Sequence, residues 1–284
     1  MTTWPRWLPM AALLVGLAAC SPDVTPPTPH AAPAPSSSRT TTSTAPTPEP
    51  RVSPSPGELS TLRGDTRNAI AWAPLSEPDD VTVEGSVPRS RAWSTSKVLV
   101  IAAYLDTVVD GDPAEVPEDT RGWIRAALTR SDGEAIGAIR QRLEDPGAAM
   151  TRVLRAIGDT TTTAPDSHEG SMSWDIREQV RFMAALGNGR VVSPEASEFL
   201  LDQMQPIPAQ RWGLGAIGAR AFKPGWVSAA TETRQMGIVG DYAVAIITDG
   251  EGPATIQSDG DYAHEWQLNR LARLLARRLD SGSR

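Results

Sequence analysis

The run Val98-Leu99-Val100-Ile101-Ala102-Ala103-Tyr104-Leu105 constrains the fold more than any other segment of the chain. It has no polar face, and a helix that is apolar all round must be covered on every side. The chain therefore has to build layers around it. Directly before the run stands Trp93-Ser94-Thr95-Ser96-Lys97. Lysine is scarce here: of 27 Lys and Arg residues only Lys97 and Lys223 are lysines. If Ser94 opens the buried helix, Ser94 and Lys97 share a face at i and i+3. Burial lowers a lysine pKa, so a neutral amine beside the hydroxyl can take its proton. The helix N-terminal N–H groups favour negative charge developing nearby.

Around that helix the pattern alternates in blocks. Asn68 to Leu75 and Val81 to Val87 read as short strands. Amphipathic helices are expected over about 119–129, 133–143, 147–157 and 174–186, with Asp132 capping the second and Pro146-Gly147 opening the third. Arg220 to Ser228, Glu232 to Val239 and Asp241 to Asp249 read as three strands, the last two joined by a hairpin at Gly240-Asp241. His264 to Leu279 is helical, with Leu268, Leu271, Leu275 and Leu279 on one stripe and Arg270, Arg273, Arg277 and Arg278 largely off it. Strands, a helical middle, strands and a final helix fit one discontinuous α/β domain with a helical lobe.

Residues 1–58 have a different character. Arg6, then the apolar stretch Leu8 to Leu17, reads as an export signal too short to span a bilayer. Leu17-Ala18-Ala19-Cys20 resembles a bacterial lipobox, which implies cleavage before Cys20 and acylation of its thiol. Residues 1–19 are thus expected to be a lipoprotein signal peptide. Residues 20–58, rich in Pro, Ser, Thr and Ala, are expected to be a lipidated, disordered tether, and the folded domain to run over 59–284.

Composition removes several classes of function. The formal net charge of −7 argues against an electrostatic nucleic-acid binder. The three histidines, His30, His168 and His264, have no metal-ligand spacing, and Cys20 is the sole cysteine. Neither a metal nor another cofactor is expected. No G-x-S-x-G marks an α/β-hydrolase.

The second lysine begins Lys223-Pro224-Gly225 in an expected strand, and Ser131-Asp132-Gly133 lies at a helix start between the two lysines. Each triplet alone is weak: Lys-Pro-Gly is often a turn, and Ser-Asp before a helix is often a cap. Together and in this order they resemble the S-x-x-K, S-D-N and K-T-G elements of the penicillin-recognising serine enzymes, which include class A β-lactamases and low-molecular-mass D,D-peptidases. Trp93 to Leu105 is similar to the class A nucleophile helix, and Gly158-Asp159-Thr160-Thr161-Thr162-Thr163 to the end of an omega loop. The resemblance covers about residues 60–280 and is closest to actinobacterial β-lactamase-like lipoproteins. It implies an antiparallel sheet flanked by terminal helices, with a helical lobe reduced by the short interval from Lys97 to Ser131.

The resemblance also implies roles. Ser94 would be the acylated nucleophile and Lys97 its general base. Ser131 would relay a proton to the leaving nitrogen, and Lys223 would bias the site and meet a substrate carboxylate. The N–H groups of Ser94 and Trp226 would form the oxyanion hole. Gly133, Gly225 and Trp226 would border the substrate. Three departures stand out. Gly133 replaces the usual Asn. Pro224 replaces a hydroxyl residue, tolerable on an edge strand whose missing N–H faces the cleft. No E-x-x-x-N is placed to activate a deacylating water; Glu169 is in the right region but follows the Thr run, and reads either as a base or as a solvated loop carboxylate. Of the tryptophans, Trp174 and Trp212 fall in segments able to reach a cleft, though core packing suits most of them; Trp226 reads equally as cleft lining.

The expected function is a monomeric, membrane-anchored, extracytoplasmic serine acyl-transfer hydrolase acting on a peptidoglycan-like peptide or a β-lactam. The alternative is a lipoprotein that keeps the fold for binding or scaffolding without turnover.

Overall fold

The computed structural model describes residues 57–88, 90–227, 231–250 and 263–282. The expected signal, Cys20 and nearly all of the tether lie outside the described residues. Among the described residues five strands form one antiparallel sheet: β1 Asn68–Pro74, β2 Thr82–Gly85, β3 Ala221–Trp226, β4 Thr233–Val239 and β5 Tyr242–Thr248. Their order is β2-β1-β5-β4-β3, so β3 is an edge strand. The β4–β5 hairpin turns at Gly240-Asp241, where Gly240 takes a positive φ of 53°.

Side-chain alternation divides the sheet between two cores. Ala69, Ala71, Ala73, Ala243, Ala245 and Ile247 face one side, and Ile70, Val244 and Ile246 the other. Helix α7, Ala263–Gly282, covers the second face with its leucine stripe: Leu268, Leu271, Leu275 and Leu279 are all buried. Each such leucine is worth about 1.5–3 kcal/mol of burial. Among the described residues no helix precedes β1. Instead Gly57 to Leu62 lie against α7, where Arg270 donates to Gly57 O at 2.6 Å, Arg277 donates to Leu59 O, and Leu62 joins the core. Gly57 and Glu58, expected to belong to the tether, are thus docked.

The first face is covered by the helical middle. Helix α1, Ser96–Thr107, is buried from Ser96 to Leu105, as its all-apolar run requires. Packed around it are α2 Glu118–Thr129, α3 Gly133–Arg140, α4 Pro146–Ala156 and α6 Pro194–Gln203, while α5 Ile176–Gly187 packs on β1, β4 and β5. Asp132 caps α3 by accepting from the Glu134 and Ala135 amides, both at 3.0 Å. Helix α6 adds to the expected elements; Ser193 accepts from the Ala196 amide at its start and Pro194 stands at its first position.

Candidate active site

Ser94 sits in a 3-10 turn, Trp93–Thr95, that runs straight into α1. Three parts of the fold hold this turn. Ala92 donates to Met172 O at 2.9 Å, and the Arg91 amide donates to Glu232 Oε1 at 2.7 Å. Gln179 of α5 donates to Thr95 Oγ1 at 2.8 Å. Edge strand β3 presses on the turn from the side. A Cβ on Gly225 would lie 3.0 Å from the Ser94 and Thr95 nitrogens and 3.1 Å from Ala92 O. Only glycine allows that approach.

Four side chains meet around the turn. Lys97 Nζ lies 2.8 Å from Ser94 Oγ. Lys223 Nζ donates to Ser131 Oγ and, at 3.0 Å, to Pro224 O. Ser131, between α2 and α3, holds a left-handed φ of 60°, a strained value for serine that recurs at functional turns. Burial pushes the Lys97 amine below its ordinary value, while the charges of Glu169 and Asp132 pull it back up. Lys223 is fully buried and is pushed well below its ordinary value, first by burial and then by the charge of Lys97. A weakly basic amine at hydrogen-bond distance from a hydroxyl can accept its proton.

The other residues singled out from the sequence find different settings, Gly133 opening onto space and Glu169 sitting in an ion pair. Gly133 is the first residue of α3, and a Cβ there would meet nothing within 4 Å. Glu169 is not a solvated loop carboxylate: it is buried and ion-paired at 2.5 Å with Arg140 of α3. Gly170 beside it packs on the Trp93 backbone, which brings the pair close to the nucleophile turn. Sequence spacing could not reveal an ion pair between residues 29 apart. Trp174 does not reach a cleft; it is fully buried, edge-on to Phe182 at 5.3 Å. Bulk apolar area on an otherwise Phe-poor chain is better used in the core.

Along β3, Phe222 donates its amide to Met204 O, away from β4. By the two-residue alternation of a strand, the Pro224 and Trp226 nitrogens share that free side. Pro224 therefore costs the ladder no hydrogen bond. The Trp226 ring lies on the α7 side of the sheet, against Trp212 at 5.5 Å and His264 at 6.4 Å. Among the described residues no group of three or more His, Cys, Asp and Glu could hold a metal ion.

No protein-family model and no curated protein matches this sequence. Solved structures do match in fold. An ancestral Gram-negative class A β-lactamase variant superposes with a TM-score of 0.60 at 18% identity, covering 76% of this chain and 94% of that one. A β-lactamase from Burkholderia vietnamiensis gives 0.57 at 21%, covering 75% and 90%. PBP-A gives 0.58 at 18%, covering 78% and 93%. The chain has the fold of class A β-lactamases and PBP-like proteins.

Proposed function

We propose that this protein is a serine acyl-transfer hydrolase. The observation that carries the reading is the 2.8 Å approach of a buried, weakly basic Lys97 to Ser94 Oγ. Ser94 Oγ attacks a substrate carbonyl while Lys97 Nζ takes its proton. The amides of Ser94 and Trp226 stabilise the oxyanion. Ser131, hydrogen-bonded to Lys223, gives its proton to the leaving atom as that atom's bond to the carbonyl carbon breaks, and regains one from the Lys97 ammonium, which carries the proton taken from Ser94. Water then hydrolyses the acyl-enzyme. With Arg140 engaging Glu169, that carboxylate is not free to activate the water, so deacylation is slow. The same ion pair favours the second reading, a binding lipoprotein with the fold but no turnover.

The lipobox at Cys20 supports anchoring to the outer face of the membrane, and the fold neighbours support an amide or peptide substrate of the cell wall. Cys20→Ala is expected to abolish partitioning into detergent; wild-type protein with an unmodified Cys20 would refute the anchor.

The mechanism is tested by following intact mass over time with a fluorophosphonate and a reporter β-lactam. Slow, persistent modification of Ser94 is expected. Pro224→Thr should speed acylation by the β-lactam without restoring turnover, and Lys97→Ala should abolish the adduct. An adduct forming at wild-type rate in Lys97→Ala would overturn the mechanism, and an unmodified Ser94 with both reagents would favour the binding reading.

A further inference from the structure

Two buried charged residues take no part in the chemistry above. Glu232 stands just before β4 and Arg234 lies on it; both are buried, Arg234 completely. Strand alternation puts Arg234 on the same face of β4 as Met236 and Ile238, which belong to the core beneath the helical middle. An apolar side chain would suit that position. Instead burial pushes the Arg234 guanidinium down to about 10, and burial pushes the Glu232 carboxyl up while the Arg234 charge pulls it back. The two approach only to 3.9 Å, too far for a hydrogen bond, and Arg234 Nε has no hydrogen-bond partner among the described residues. The pair itself therefore offsets little of the cost of removing both charges from water.

What the pair does is hold the backbone of one residue. The Arg91 amide donates to Glu232 Oε1 at 2.7 Å, and Arg91 O accepts from Arg234 Nη1. Arg234 Nη2 donates to Trp174 O at 3.2 Å. Arg91 also faces Ser173 in an isolated bridge. The strand pair leading into Ser94 and out of the Glu169 turn is thus gripped from β4. Two residues after Arg91 comes Trp93, with a left-handed φ of 47°. For a bulky side chain that torsion is an outlier, and it persists only where the surroundings fix the chain on both sides. On the far side Ser96 Oγ donates to Trp93 O at 2.6 Å. On the near side the fixing runs through Ala92 and Arg91. The peptide between Trp93 and Ser94 carries the N–H assigned to the oxyanion, so the aim of that N–H follows the Trp93 torsion.

We propose that Arg234, aided by Glu232, is a positioning residue: by clamping the Arg91 backbone it keeps Trp93 left-handed and the Ser94 N–H aimed at the developing oxyanion. Neither residue touches a reacting atom. The inference rests on the acyl-transfer reading above. A misaimed donor weakens the transition state more than the bound substrate, so the maximal acylation rate falls while the half-saturating concentration does not.

The test compares the wild type with Glu232→Gln and with the double variant Glu232→Gln/Arg234→Met. Intact-mass time courses over a range of reporter β-lactam concentrations give both kinetic quantities for Ser94, and urea midpoints give stability. Glu232→Gln keeps an acceptor for the Arg91 amide and should acylate within about threefold of the wild type. The double variant removes both buried charges and should be at least as stable as the wild type. Its maximal acylation rate should nevertheless fall at least about tenfold, with the half-saturating concentration unchanged. A double variant acylating at the wild-type rate overturns the proposal whatever its stability. So does a rate that falls only in step with the unfolded fraction, or a higher half-saturating concentration at an unchanged maximal rate. In each of these cases the wild type still labels, and only the clamp falls. If neither the β-lactam nor a fluorophosphonate labels wild-type Ser94, the acyl-transfer reading falls and this inference with it.

Discussion

Arg140, the last residue of α3, is ion-paired with Glu169, and Glu169 is the acid whose charge acts most strongly on Lys97. The guanidinium therefore stands between the site and a fully expressed negative charge. Glu169→Gln removes the charge that raises the Lys97 pKa, so the pH at which acylation switches on should fall. Arg140→Gln leaves the carboxylate uncompensated, and that pH should rise. Shifts in opposite directions are expected. The check is the acylation rate of Ser94 against pH in the three proteins. Identical midpoints would sink the idea; unchanged acylation with deacylation frozen only in Glu169→Gln would make Glu169 a base instead.

Two glycines beside the site should respond oppositely to a side chain. At Gly225 a methyl group lands 3.0 Å from the Ser94 and Thr95 nitrogens, within backbone rather than a flexible tip. Gly225→Ala should cost about 1–3 kcal/mol and displace the nucleophile turn. At Gly133 the same methyl meets open space, in the first turn of a helix where alanine is favoured over glycine. Gly133→Ala should be neutral or stabilising by up to about 1 kcal/mol. Urea unfolding of both variants, alongside Ser94 labelling, decides the matter. Equal effects at the two positions would mean that β3 does not press on the turn.

The parts legible in the sequence are those set by local pattern. The apolar run after Lys97 could only be a buried helix, and the leucines of α7 lie at helical spacing, so both form where expected. Gly240-Asp241 turns the hairpin because its chemistry is local. Helix α6 is hard to read because its buried residues, Ala196, Ser197 and Leu200, make too weak an apolar stripe to stand out. The setting of Glu169 depends on Arg140 from a different element, and the burial of Trp174 on Phe182 across a core. Which side of the sheet Trp226 faces follows from the strand register, which motif spacing alone does not set.

The docked start of the domain yields a graded truncation series. A chain beginning at Leu59 loses the Gly57 acceptor and the contacts of Glu58 with Arg273 and Arg277, at 3.9 and 3.7 Å. These groups are partly exposed, so the loss should be about 1 kcal/mol or less. A chain beginning at Gly64 also loses Leu62, which is 1% exposed, and its amide bond to Glu84 at 2.7 Å. That truncation should cost about 3 kcal/mol or more. Denaturant midpoints of the two chains check it, and equal losses would show that Leu62 contributes little.

Lys223 should be a stability cost that the site carries for its chemistry. It is fully buried, and its folded pKa lies well below the ordinary 10.5, with burial the main cause and the Lys97 charge the second. Between the folded pKa and 10.5 the unfolded chain binds the proton that the folded chain has released. Stability therefore rises with pH across that window, and below it the full penalty applies. Lys223→Met keeps the length of the side chain and removes the charge. At about pH 7 the variant should be more stable than the wild type by about 1–3 kcal/mol, because the desolvation penalty of a buried cation exceeds what its hydrogen bonds return. The difference should shrink as pH approaches 10.5, where the wild-type lysine becomes neutral in both states. Acylation of Ser94 should slow sharply in the same variant, since Ser131 loses its partner and the site loses its second amine. Urea unfolding at about pH 7 and about pH 9.5 measures the stability arm, and Ser94 labelling the other. A variant less stable than the wild type at both pH values would mean that Lys223 contributes more through its contacts with Ser131 and Pro224 than its burial costs.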